Sequence, residues 1–181
     1  MAEPGLHELK RIRPDVEVVW KAFELRPDPA PSLDPAGEYL TRVWRDSVYP
    51  LAERLGITMR LPPIQPRSRR AHEAAKWAQT QDQFDAYNTA LFRAFFERGE
   101  DISQIDVLSE LAQDLGLNAS TLRASLENKQ FEPNVVADER EAAELGVHAV
   151  PAFVFNRRFA LTGVQPTAAL EQMVNRACEF E

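Results

Sequence analysis

The stretch ELGVHAVPAFVFN, residues 144–156, decides the fold. Pro151 stands immediately before the strand-like run AFVFN. Proline has no N–H to give a sheet ladder, so it is confined to edges, strand starts and bulges. In a tight turn it is also the one residue that readily takes a cis peptide bond. After AFVFN comes a second short β run, RFALTG, and the pair Asn156-Arg157 between them suits a tight hairpin turn. Upstream, EPNVVADEREAAELG reads as a helix with Pro133 in its first turn and Gly146 just past its end. Downstream, QPTAALEQMVNRACEF reads as a closing helix with Leu170, Met173, Val174 and Ala177 on one face. The C-terminal part is therefore helix, proline loop, hairpin, helix.

Residues 67–128 read as an all-helical block. In DQFDAYNTALFRAFFERG, residues Phe84, Tyr87, Leu91, Phe92 and Phe95 form one apolar stripe that stops at Gly99. Ile105, Leu108, Leu111 and Leu115 repeat the pattern and close at Gly116. The sequon NAS at 118–120 is better read as a helix cap by Asn118 than as a glycan acceptor. Closer to the start, GLHELKRI spaces Leu6, Leu9 and Ile12 at helical intervals. Val16, Val18 and Trp20 then alternate with Glu17, Val19 and Lys21, which reads as a strand. RPDPAPSLDP is a proline-rich loop, and GEYLTRVWRDSVYPLAERLG is helical with a break or restart at Pro50.

The order is incomplete in one respect. A strand that follows a helix in a parallel sheet expects an earlier strand joined through that helix by a right-handed crossover. No candidate precedes the helix at residues 5–12, so the chain reads as beginning inside a β-α-β unit.

Composition narrows the function classes. The 181 residues are 44% hydrophobic and 27% charged, which suits one soluble domain with an inserted subdomain. A net charge of −7 disfavours nucleic acid and anionic membranes as partners. The single cysteine, Cys178, excludes an internal disulfide and a Cys-x-x-Cys motif within these residues. The N-terminal stretch lacks the signal-peptide pattern, and no run approaches the about 20 apolar residues that span a bilayer. A cytoplasmic location is expected.

VEVVWKAFELRPD, AHEAAKWA, LFRAFFERGEDI, ADEREAAELGVHAVPAFVFN and LTGVQP, taken in order, resemble the DsbA-like thioredoxin-fold family. The likeness is to its FrnE-type branch, related to 2-hydroxychromene-2-carboxylate isomerases and kappa-class glutathione transferases. It runs from about Gly5 to the C-terminus. The resemblance implies an α/β fold: a thioredoxin-like domain over 1–60 and 132–181, lacking its first strand here, with a helical insertion over 61–131. It implies that HAVPAF is a cis-proline loop, and that the family's redox Cys-x-x-Cys would lie before Met1. It further implies a thiol–disulfide oxidoreductase whose dithiol is absent from these residues. The partner would be a thiol- or disulfide-bearing protein or peptide.

Under that resemblance the candidate substrate-binding residues are Val150 and Pro151, with His148 beside the groove. A cis-proline loop leaves the preceding residue's N–H and C=O free to pair with an extended chain. No catalytic residue and no metal ligand is assigned; His7, His72 and His148 lack metal spacing. No cofactor is expected, with glutathione the one candidate ligand. Cys178 reads as a small buried hydrophobe near the apolar face of the last helix. PRSRRAH, residues 66–72, reads as a solvated basic first turn that leaves modest room for an anionic ligand. The aromatic stripe with Trp77 reads as core. Two rival functions stand beside the oxidoreductase: a glutathione-dependent isomerase or transferase, and a non-catalytic peptide-binding module. The module would dimerise through open strand edges.

Overall fold

The computed structural model describes residues 1–179. Phe180, at the end of the stretch read as the closing helix, lies outside the described residues. The chain opens with helix α1, Glu3–Ile12. A loop leads to α2, Glu38–Val43, which runs through a π-helical turn, Trp44–Val48, into α3, Tyr49–Arg54. Pro50 does not interrupt the rod: it follows directly on the π-helical turn, where the Tyr49 N–H bonds the Trp44 carbonyl five residues back.

The helical block comprises α4, Arg69–Gln79; α5, Phe84–Phe96; α6, Ile105–Asp114; and α7, Ala119–Glu127. Its centre is α4, whose Ala71, Ala74, Ala75 and Ala78 are all buried. Small side chains let α5, α7 and α8, Glu132–Glu144, lie close against it. Tyr87, Leu108 and Leu122 are fully buried, and the Tyr87 hydroxyl donates to the Leu108 carbonyl at 2.7 Å. Asn118 caps α7 by accepting from the Thr121 amide at 3.1 Å. Gly99 ends α5 with φ 71°, and a Cβ there would lie 2.8 Å from Pro63 Cδ, so only glycine fits.

The second region is thinner. Helix α1 packs on α9, Thr167–Cys178, through Leu6, Leu9, Leu170 and Val174. The two backbones meet closely at Gly5, where a Cβ would stand 3.1 Å from the Gln165 carbonyl oxygen. Strands β1, Ala152–Phe155, and β2, Phe159–Thr162, form an antiparallel hairpin with Phe155 opposite Phe159. Asn156 and Arg157 both take left-handed φ, 46° and 58°, the geometry of a two-residue type I′ turn. Phe153 and Phe155 face the α1–α9 core.

The strand expected at Val16–Trp20 is not one. Burial does alternate there with period two: Val16, Val18 and Trp20 face the α1–α9 core while Glu17, Val19 and Lys21 face outward. The backbone is extended but unladdered. Among the described residues, no backbone–backbone hydrogen bond involves residues 17–24, so the segment has strand sidedness without a strand's pairing.

Candidate functional site

The Pro151 loop is fixed at both ends and open in the middle. At its start, α8 finishes in a left-handed glycine cap. Gly146 N–H donates to the Ala143 carbonyl at 3.1 Å, and Val147 N–H to the Ala142 carbonyl at 2.8 Å, the double bond of a Schellman motif. At its end, the Pro151 carbonyl accepts from Gly163 N–H at 2.8 Å, locking the loop onto the hairpin. The Val150–Pro151 bond is cis. Between the two anchors, the main-chain groups of His148, Ala149 and Val150 make no hydrogen bond to any described residue. All three residues are exposed, Val150 at 45%. Pro151 is half-buried beneath them. The structure thus brings Val150, Pro151 and His148 together on one short surface loop leading directly into β1.

A charged network that sequence reading missed reaches the turn of the hairpin that this loop leads into. Glu24, 6% exposed, pairs with Arg69 Nε, and Arg69 Nη2 reaches Glu139 Oε2 at 3.2 Å. Asp138, 5% exposed, accepts from the Ala22 amide at 2.8 Å and from Lys76 Nζ at 2.6 Å. Lys21 Nζ stands 3.3 Å from Asp138 Oδ1 and 3.0 Å from Glu141 Oε2. The other oxygen of Glu141 holds Arg157. The network joins four regions: the extended segment, α4, α8 and the hairpin turn.

Burial works to raise the Asp138 carboxyl, but the hydrogen bonds from Lys76 and Ala22, with the nearby cations, hold it below its ordinary range. The hydrogen bond from Lys21 holds the Glu141 carboxyl down as well. Burial raises Glu139, and the neighbouring Glu24 adds to this against the pull of Arg69. Burial also raises Glu73, whose Oε2 has no hydrogen-bond partner among the described residues. His72 is pushed down by burial, opposed by Glu24 and by a hydrogen bond to the Phe23 backbone. A signal for the network did exist: Glu24 stands in phase with Val18, Trp20 and Ala22, on the inward side of an extended run.

Three other expectations are corrected or refined. Cys178 is exposed rather than buried, with the Arg13 guanidinium beside it. The basic cluster is not a solvated turn: Arg67 binds the Arg26 carbonyl at 2.5 Å, Arg69 is engaged by two carboxylates, and Arg70 binds the Ser103 carbonyl at 3.1 Å. The protein's own acceptors occupy the cations that could have met an anionic ligand. The aromatic stripe divides: Tyr87 and Leu91 are core, whereas Phe92, Phe95 and Phe96 form a cluster with Trp44 and Tyr49 around the π-helical turn. Among the described residues, no three His, Cys, Asp or Glu side chains converge as a metal-binding group.

A proline loop feeding a hairpin, with a closing helix over one face and a helical insertion beside it, defines a thioredoxin-like protein. Comparison with known families agrees: the chain matches the DSBA-like thioredoxin domain over residues 1–175 and belongs to that family. It is 35% identical over 144 residues to the uncharacterized protein YwbO of Bacillus subtilis, spanning 77% of this chain and 72% of that protein. The crystal structure of a "probable DsbA oxidoreductase" from Streptomyces coelicolor superimposes with a TM-score of 0.83 at 26% identity, covering 99% of this chain and 84% of that one. A protein from Nitrosomonas europaea, assigned provisionally as a disulfide isomerase, shares the fold with a TM-score of 0.75 at 17% identity. That match covers 98% of this chain and 90% of the other. Among the described residues, no helix is long and apolar enough to cross a membrane.

Proposed function

We propose that residues 148–151 receive an extended stretch of a thiol- or disulfide-bearing polypeptide, in the manner of a DsbA-like oxidoreductase. One observation carries this reading: His148, Ala149 and Val150 are exposed, their main-chain groups are unclaimed by any described residue, and they are continuous with β1. Free main-chain donors and acceptors beside a strand are what an added strand pairs with, and side-chain contacts then set its selectivity. Val150 supplies an apolar contact to the guest chain, and His148 lies beside it. Cytoplasmic residence is part of this proposal, supported by the chain's sparing use of cysteine.

The chemistry is divided from the binding. A dithiol–disulfide cycle needs two cysteine thiols, and the 181 residues contain one. These residues by themselves supply the polypeptide-receiving loop. The purified 181-residue chain should therefore show no catalytic turnover in insulin reduction.

The binding reading is tested by titrating the ¹⁵N-labelled chain with an extended peptide carrying one S-methylated cysteine. The largest amide shifts should fall on His148, Ala149 and Val150. Absence of binding at millimolar peptide, or shifts centred on another face, would refute the proposal. A glutathione-dependent enzyme makes the contrary prediction that glutathione alone moves the same amides.

A further inference from the structure

The extended segment 16–24 and the hairpin that carries the Pro151 loop both rest on the α1–α9 core, yet no hydrogen-bond ladder joins them among the described residues. A hydrophobic floor is non-directional and does not fix the spacing of two elements lying on it. Arg176 of α9 lies over the Phe159 ring, 4.6 Å from its centroid, and ties the hairpin to that helix; its place against the extended segment is set by a different contact. Helix α8 offers one side chain that meets both, Glu141, with Asp138 also near Lys21 and Glu144 near Arg157. Glu141 Oε2 takes Lys21 of the segment at 3.0 Å, and Oε1 takes Arg157 of the hairpin turn.

The identity of residue 157 strengthens the point. A two-residue turn with both φ values positive strongly favours glycine at its second position. Here that position is arginine, at φ 58°. A long side chain is unfavourable in this backbone region. Its guanidinium is directed at α8, to Glu141 with one nitrogen and to within 3.9 Å of Glu144 with another. The turn thus accepts an unfavourable backbone residue and gains an ionic tether. Exposed ion pairs add little stability. Arg157 is 60% exposed and Lys21 49%, so the effect to expect is on position, not on melting.

We propose that Glu141 is a positioning residue for the Pro151 loop, holding Lys21 and Arg157 on its two oxygens and so fixing the hairpin against the extended segment. This rests on reading residues 148–151 as the polypeptide-binding site, and extends it by naming what sets the loop's place. Glu141 does not touch the guest chain. It acts through Arg157 and the hairpin.

The test measures position and binding separately. Spin labels at Val19 and Ala160, both exposed, are introduced in a Cys178→Ser background, and the distance distribution between them is recorded by pulsed electron resonance. The unmodified network should give one narrow distribution, which Glu141→Gln broadens or shifts. Arg157→Gly is the sharper variant. It installs the residue the turn prefers, so thermal stability should hold or rise while the distribution broadens as in Glu141→Gln. Affinity for the S-methylcysteine peptide should fall about fivefold to tenfold in both variants, an ordinary coupling between linked sites. Narrow, unchanged distributions in both variants would overturn the proposal even if peptide binding to the parent chain is confirmed. Broadened distributions without peptide binding to the parent chain would uphold the clamp and sink the reading of the loop.

Discussion

The helical block and the α1–α9 half solve the same problem with different means. In the block, each helix satisfies its own backbone, so packing has only to bury side chains. It does so thoroughly: Ala74, Ala78, Tyr87, Ala94, Leu108, Ala112 and Leu122 have no exposure. In the other half, the buried hydrophobic cluster shrinks to Leu6, Leu9, Leu170 and Val174, with the extended segment and the hairpin lying across it. Strand-like elements need partners distant in sequence for their hydrogen bonds, and residues 17–24 have none on the backbone. Sidedness and pairing are separable. Hydrophobic alternation can lay a segment down correctly without making it part of a sheet.

The largest effect that tests this contrast comes from truncating one leucine in each region. Leu108→Ala, at a site with no exposure, should cost about 3–5 kcal/mol in urea denaturation, the upper range for such cavities. Leu6→Ala, at 8% exposure beside a thinner core that can collapse, should cost nearer 2 kcal/mol. Equal costs would break the comparison. Next in size is Asp138→Asn, which cuts the junction between the regions. It leaves Lys76, 16% exposed, without its carboxylate, a loss of about 3 kcal/mol at neutral pH. The pH dependence has a definite sign. The Asp138 pKa is depressed in the folded state, so its contribution is present above the ordinary aspartate value of about 3.9. It is lost as pH falls through the depressed folded value. The stability gap between Asp138→Asn and the parent should therefore close in strong acid and stay open from pH 5 upward.

Below these comes Tyr87→Phe, which removes the hydroxyl that the Leu108 carbonyl accepts from inside the block. The Leu108 carbonyl keeps its helical partner within α6, so stability should fall by about 1 kcal/mol, the net worth of one hydrogen bond, read from the denaturation midpoint at constant slope. A neutral result would mean that the block's core contains water able to replace the hydroxyl.

How much of this was legible in the sequence follows the same division. The helices of the block were legible because the 3.6-residue period of Tyr87, Leu91 and their neighbours is local information, as are the glycines that end them. The hairpin turn at Asn156-Arg157 was legible for the same reason. At Val16–Trp20 the inward and outward faces were legible, but the absence of a ladder was not, because pairing depends on another part of the chain. Cys178 was misplaced because its spacing from Val174 implies the apolar face of α9. The helix that covers that face, α1, has ended at Ile12, and the polar Arg13 stands there instead. In the candidate site, Val150 and Pro151 were readable from the proline before a β run. The carboxylates of the charged network were not, since Glu139 and Glu141 look like ordinary members of an acidic helix until Arg69, Lys21 and Arg157 are brought to them.

The finest discrimination concerns a single amide. If the extended segment lacks a ladder, its N–H groups should exchange with solvent at nearly the same fast rate from Val18 to Lys21. Ala22 differs from them in one respect: its N–H donates to the Asp138 carboxylate at 2.8 Å. A hydrogen bond to a charged group is worth about 1.5 kcal/mol or more, so Ala22 should exchange roughly tenfold slower than Lys21 beside it. Asp138→Asn should reduce that difference while the amides of α4 to α7 keep their protection. Uniform protection across residues 18–22 would instead mean that the segment is paired in solution, and the contrast drawn between the two regions would fail at its narrowest point.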